Sequence, residues 1–168
     1  MAVLTDRDAL AEAPAAGDFF HVVDVSDTTD AASGTSKKIT ATNAFADLTT
    51  SSINFVIDGG GSAITTGVKG FIQVDFACTI NSVTLLADQS GSIVVDIWKD
   101  TYANYPPADA DSITASAVPT ISAATKSTDA TLTGWTTSIA AGDVLGFNVD
   151  SITTCTRVTV ALKVTRTL

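Results

Sequence analysis

Near the end of the chain Val158, Val160, Leu162 and Val164 alternate with Arg157, Thr159 and Lys163, and Ile72, Val74 and Phe76 alternate with Gln73 and Asp75 in the same way. A period of two puts one set of side chains on a core face and the other in water, so both runs predict half-buried β-strands. From Ser51 onward the same vocabulary continues. SINFVID, VKGFIQVDFAC, NSVTLLA, SIVVDIWK, ATLTGW, DVLGFNV and RVTVALKVT are β-rich runs separated by Gly, Asp, Asn, Ser or Pro, with short extra strands near Ser112–Ala115 and Thr120–Ala123. Roughly seven to nine strands with no helical period predict a mainly β fold, an antiparallel jelly-roll-like β-sandwich over residues 51–168. SIVVDIWK departs from strict alternation: Ile93, Val95 and Ile97 lie opposite Val94 and Trp98, with only Asp96 interrupting the second face. Such a strand is either central or meets another subunit through that face, which makes Val94 and Trp98 candidate subunit contacts.

Residues 1–50 read differently. TDRDALAEA offers Thr5 as an N-cap and Asp8 at the third helical position, opening a short helix that Pro14 ends. FFHVVDVSD, Phe19–Asp27, and KKITA, Lys37–Ala41, predict two strands of a hairpin joined by the turn-rich DTTDAASGTS. Thr42 can cap a short helix, NAFADL, whose Phe45 and Leu48 share one face and could close over the hairpin. Ordering the backbone costs about 1–2 kcal/mol per residue, and this segment has few large apolar side chains to offset it. It therefore reads as a small helix and hairpin attachment module that completes itself on a partner, with Phe19, Phe20, Val22, Phe45 and Leu48 as the candidate contacts.

Composition narrows the function. The 168 residues are 45% apolar and only 16% charged, with a formal net charge of −9. That sign opposes phosphate neutralisation, so no nucleic-acid partner is expected. No basic and then apolar leader opens the chain and no run of about 18 apolar residues appears, so a chain made in the cytoplasm without membrane insertion is expected.

Candidate chemistry is sparse. The glycines of DGGGSAITTG lack both the GxxxxGK[ST] spacing and the following helix that a phosphate cradle needs, which leaves a flexible loop between two strands. His21, the only histidine, lies between Phe20 and Val22, and no GxSxG elbow exists for it to serve. Asp24, Asp27 and Asp30, and Asp109 with Asp111, could offer oxygen ligands to a hard cation, but neither group matches a calcium loop, and solvated carboxylates are the default. Cys78 and Cys155 read as buried free thiols, with a bridge between them as the minor option. Neither catalytic residues, nor a cofactor, nor a metal is expected. Trp98, Tyr102 and Tyr105 crowd WKDTYANYPP, which suits a carbohydrate platform, a subunit contact, or a strand end packing over a proline turn.

The stretch Asn54–Pro107, with IDGGGSAITTG and ADQSGSIVVDIWKDTYANYPP, continuing through TLTGWTTSIAAGD and TRVTVALKVT, closely resembles a β-sandwich segment that recurs in virion proteins of tailed bacteriophages, often labelled tail fibre or receptor-binding protein. The likeness spans nearly two-thirds of the chain. More loosely, DFFHVVDVSD and KKITATNAFADL are similar in outline to attachment modules of phage fibres and decoration proteins. The resemblance implies a homotrimeric, non-enzymatic virion component, made in the host cytoplasm and displayed on the particle. A fibre has a long shaft between module and tip, whereas here the module ends near Thr50 and the sandwich follows at once. That compactness favours a capsid decoration (cement) protein anchored on the major capsid protein or another virion protein. The alternative is a short tail-fibre or baseplate adhesin recognising a host surface glycan. A glycan-cleaving enzyme would need paired carboxylates in a groove, and with Glu12 as the only glutamate no such pair is marked.

Overall fold

Strands dominate, every pairing is antiparallel, and no helix among the described residues reaches seven residues. The computed structural model describes residues 18–44 and 46–167. The chain divides into two compact units, one ending at Thr49 and the other spanning Thr50–Thr167. The expected helix from Thr5 and the side chain of Phe45 lie outside the described residues.

In the first unit β1 (Phe19–Asp24) pairs with β2 (Thr35–Thr40), from Phe19 opposite Thr40 to Asp24 opposite Thr35. The turn is built from local carboxylate bonds. Asp24 Oδ1 accepts from Ser26 N at 3.0 Å, and Asp27 Oδ1 accepts from Thr29 N at 3.0 Å. Gly34 closes it at φ +117°, where a Cβ would stand 2.8 Å from the Asp24 carbonyl. Two helical segments follow, α1 (Ala41–Ala44) and α2 (Ala46–Thr49). Thr40 rather than Thr42 caps the first: its Oγ1 accepts from Asn43 N at 3.2 Å, the geometry that satisfies an orphan helix-start donor. Leu48 is 71% exposed, so it does not close over the hairpin.

The second unit is one seven-stranded sheet in the order β3 (Thr50–Asp58), β9 (Arg157–Arg166), β5 (Cys78–Thr101), β8 (Asp143–Ile152), β4 (Gly67–Gln73). β6 (Thr120–Asp129) and β7 (Ser138–Ile139) pair with β5 from its other side. The sheet curls because β5 is 24 residues long and changes partner halfway. Cys78–Ala87 pairs with β9, whereas Ile93–Thr101 pairs with β8. The two halves meet face to face where Phe55 of β3 stacks on Phe147 of β8, rings 4.3 Å apart and 2° from parallel. Val158, Val160, Leu162 and Val164 fill this interior with Ile93, Val95, Ile97 and Leu145, all fully buried.

Three expectations change here. NSVTLLA and SIVVDIWK are not two strands, because the intervening DQSG is stapled into a bend by the loop between β8 and β9. Thr154 Oγ1 donates to the Ser90 carbonyl at 2.8 Å, Asp88 accepts from the Thr156 hydroxyl, and Gly91 lies so close to Cys155 Sγ that a Cβ would stand 2.7 Å away. TLTGW is a turn rather than a strand, since Asp129 Oδ1 accepts from Thr131 N at 2.8 Å and Leu132 and Gly134 adopt positive φ. The glycine loop is anchored rather than flexible: Gly59 N donates to Thr156 O, Ile64 N donates to Cys155 O, and Ile64 is buried.

Cys78 and Cys155 are buried free thiols, and burial pushes both upward. Cys78 pairs with Arg166 at one end of β9, and Cys155 lies just before the other end. The ten residues of β9 span about 30 Å, far beyond the roughly 7 Å between Cα atoms that a disulfide allows.

Candidate functional site

Two surfaces carry the candidate residues, one in each unit. In the hairpin, period two sends neighbours to opposite faces, so Phe19 and Phe20 do not form one patch. Phe20 and Val22 share the face of Ile39 and Lys37, while Phe19 and Val23 share the face of Thr40 and Ser36. Phe20 is half-buried, and Phe19 is exposed with the Lys38 ammonium 4.6 Å from its ring centroid. Val22, Val23 and Val25 are exposed as well. His21 stands exposed opposite Lys38.

The turn of the hairpin is held by hydrogen bonds and ion pairs. Lys37 Nζ lies 3.0 Å from Asp24 Oδ2 and 2.9 Å from Asp27 Oδ2. The Ser26 hydroxyl and then Lys37 hold the Asp24 carboxyl well below the usual range, and the Thr29 hydroxyl and Lys37 do the same for Asp27. These carboxylates are thus engaged by a lysine and by turn donors. No group of three or more His, Cys, Asp or Glu side chains among the described residues is placed to hold a metal ion.

In the second unit the surface is built on the outward side of β4, β8 and β5. Opposite residues in register share a face, so Phe71, Gly146 and Trp98 lie in one row, and Gln73, Val144 and Asp100 in the next. Between β5 and β6 the chain makes an excursion, residues 102–119, across this outward side. At its centre is Asp96, 6% exposed, which accepts from Trp98 Nε1 at 2.8 Å, Ser112 Oγ at 2.8 Å, Thr114 Oγ1 and its neighbour's amide, Ile97 N. Ile113 N donates to Ile97 O at 2.9 Å, which holds the excursion along β5.

That arrangement corrects the subunit-contact expectation for Trp98. The residue is 7% exposed, because the chain's own excursion covers it and Asp96 takes its indole hydrogen. SIVVDIWK is a central stretch, flanked by β8 on one side and by β6 and the excursion on the other; Val94 is half-buried between Thr120 and Ser151. Nearby, burial raises the carboxyl of Asp150, and the charges of Asp96 and Asp109 add to the rise.

Tyr102 and Tyr105 separate from Trp98. They ride on a 3₁₀ turn, Tyr102–Asn104, and are 72% and 53% exposed. Tyr105 meets Phe71 edge to face, centroids 5.1 Å apart at 72°. Together with Gln73 and Val144 these rings line an open groove of about 460 Å³. Phe71, Gln73 and Val144 escape a reading that looks only for the core-facing partners of Ile72 and Val74. The available signal is Gly146 inside DVLGFNV: a Cβ there would stand 3.1 Å from the Phe71 ring of the neighbouring strand and 3.3 Å from Pro107 of the excursion, so the glycine marks a place where both press onto β8.

No protein-family model, no curated protein and no solved structure matches the chain. No helix among the described residues is long and apolar enough to cross a membrane.

Proposed function

We propose that the protein is a non-enzymatic structural component of a bacteriophage virion, a homotrimer that attaches through its hairpin unit to the major capsid protein or another virion protein and displays a jelly-roll-like sandwich on the particle. The observation that carries this reading is the apolar surface of the hairpin unit. Phe19, Val22, Val23, Val25 and Leu48 are all exposed in a segment of modest size. Phe19 and Val23 lie together on one face of the hairpin, with Val22 on the other, and exposed apolar faces of this kind mark sites of association. The virion setting rests on the resemblance of Asn54–Pro107 to phage sandwich segments. The sandwich core is filled by its own chain, which suits a displayed body that needs no partner to fold.

The role favoured is capsid decoration. A protein that binds an assembled shell in preference to its free subunits stabilises the shell by linkage. Particles lacking it should adsorb to their host normally and release DNA at a lower temperature or after milder osmotic shock. Normal shell stability with lost adsorption would replace decoration by a tail adhesin. Paired substitutions Val22→Asp and Val25→Asp should leave a folded, soluble protein that no longer rebinds bare particles; retained binding would remove the hairpin as the anchor.

A further inference from the structure

The groove on the outward side of β4, β8 and β5 has features that the attachment role does not use. Residues i and i+3 of a 3₁₀ turn eclipse one another, so the turn sets Tyr102 and Tyr105 on one side. Other groups hold that turn. Asp100 Oδ1 accepts from Thr101 N at 2.6 Å and from Asn104 Nδ2 at 3.1 Å, and Tyr105 N donates to Tyr102 O at 3.3 Å. The Tyr102 ring is therefore 72% exposed on a turn whose backbone other groups hold. Among the described residues neither tyrosine hydroxyl has a hydrogen-bond partner. Gln73 donates one amide hydrogen, at 3.4 Å, to Gly142 O, which leaves its carbonyl oxygen and second hydrogen free to bond elsewhere.

The chemistry of the lining selects the ligand. None of Phe71, Gln73, Tyr102, Tyr105 and Val144 is charged, and the chain as a whole carries −9, so an anionic ligand finds no counter-charge here. Aromatic faces call for a ligand with a flat apolar side. Each polar group of the groove, two phenols and a primary amide, can both donate and accept. A pyranose ring meets both demands, with C–H groups on one face and hydroxyls, which also donate and accept, around its edge. A proline-rich peptide offers a comparable apolar face, but its tertiary amides only accept, so half of the groove's polar capacity would go unused. About 460 Å³ lies within the usual range of small-ligand sites, roughly 300–1,000 Å³. We propose that this groove binds a pyranose unit of a neutral oligosaccharide, stacked on Tyr102 and Tyr105 and hydrogen-bonded at its edge by their hydroxyls and by Gln73. The inference stands apart from the virion reading, since it uses only the lining of the groove and neither the hairpin unit nor the phage resemblance.

The test is titration of the ¹⁵N-labelled full-length protein with a panel of neutral disaccharides, namely maltose, cellobiose, lactose, chitobiose and mannobiose, to about 20 mM, which detects even the millimolar affinity of a single stacked ring. The expected result is saturable movement of the amide signals of Phe71, Gln73, Tyr102, Tyr105 and Val144 with at least one sugar. Tyr102→Ala should weaken that binding at least about tenfold while the rest of the spectrum stays in place, because its ring is exposed and makes no core contact. Tyr105→Phe, which keeps the ring on Phe71 and removes only the hydroxyl, should weaken it by a smaller factor. The proposal is overturned if no sugar of the panel moves these signals, if Tyr102→Ala binds as the wild type does, or if an oligoproline peptide moves them and the sugars do not.

Discussion

The hairpin unit and the second unit are both antiparallel β-structure, but they are held together by different forces. In the second unit, Phe147, Leu145, Val160 and Leu162 are completely buried, and its edge-of-core polar group, Asp96, accepts four hydrogen bonds. In the hairpin, Val25 is 74% exposed and Phe19 58%, and the groups that close the structure are Asp24, Asp27 and Lys37. Among the described residues β1 and β2 pair with no third strand, and a two-stranded hairpin is marginal in water by itself. The difference teaches that period-two patterning defines strands in both units, whereas burial is available only where a third and fourth strand can fold back over the first two. Stability in the second unit should therefore follow volume, and in the hairpin it should follow charge.

Removing volume from the core of the second unit gives the largest expected effect. Phe147→Ala deletes the ring stacked on Phe55 between the two halves of the sheet. It should cost about 3–5 kcal/mol, the range for emptying a core aromatic site. Urea unfolding followed by tryptophan fluorescence measures this directly. A loss below about 1 kcal/mol would mean that the halves do not rely on this stack, and the contrast between the units would fail at its strongest point.

Next in size is the polar node on the outward side. Asp96→Ala leaves Trp98 Nε1, Ser112 Oγ and Thr114 Oγ1 without their acceptor in a buried setting. A loss of about 2–4 kcal/mol is expected, since each stranded buried donor carries a desolvation penalty. The near-ultraviolet circular dichroism of the tryptophans should change with it. The same substitution sharpens the comparison, because it asks whether the second unit depends on a carboxylate as much as the hairpin does. Unlike the hairpin's acids, which are less buried and paired with Lys37, this one is buried among donors of the excursion, so its loss should also loosen residues 102–119 relative to the strands.

Much of this architecture is legible from residue order, and the parts that are not share a cause. Alternation along Val158–Val164 and around Ile72 and Val74 places the core face, because each side chain has only two sides to choose from. The turn signals mislead where a distant loop overrides them. DQSG reads as a hairpin turn, yet the segment Thr153–Arg157 bonds to it from more than sixty positions away and draws β5 into one bent strand. TLTGW has strand composition, but Asp129 captures its first amides. At the candidate site, Tyr102 and Tyr105 are visible in the sequence, and Trp98 is wrongly grouped with them because proximity in sequence says nothing about which face the excursion covers. Phe71, Gln73 and Val144 come from strands that pairing alone brings together.

The smallest effect is expected from acid, and it should separate the units most cleanly. Asp24 and Asp27 titrate well below ordinary aspartates in the folded hairpin, held down by the Ser26 and Thr29 hydroxyls first and by Lys37 next. A carboxyl whose folded value is depressed binds its proton more readily in the unfolded chain, so it contributes stability above about pH 4 that is lost as pH falls further. Lys37 is raised by the same two partners, so its contribution is present throughout neutral and acid pH only while Asp24 and Asp27 stay ionised. The pairs are solvent-exposed and screened, which keeps the effect modest and makes it weaker in high salt. Between pH 4 and pH 2 the amide signals of Phe19–Asp24 and Thr35–Thr40 should therefore lose dispersion and hydrogen-exchange protection before those of β5 and β9 do. Lys37→Met should reproduce part of this loosening at neutral pH and reduce the salt dependence. If instead the hairpin keeps its protection down to pH 2 while the second unit opens first, charge is not what holds the hairpin.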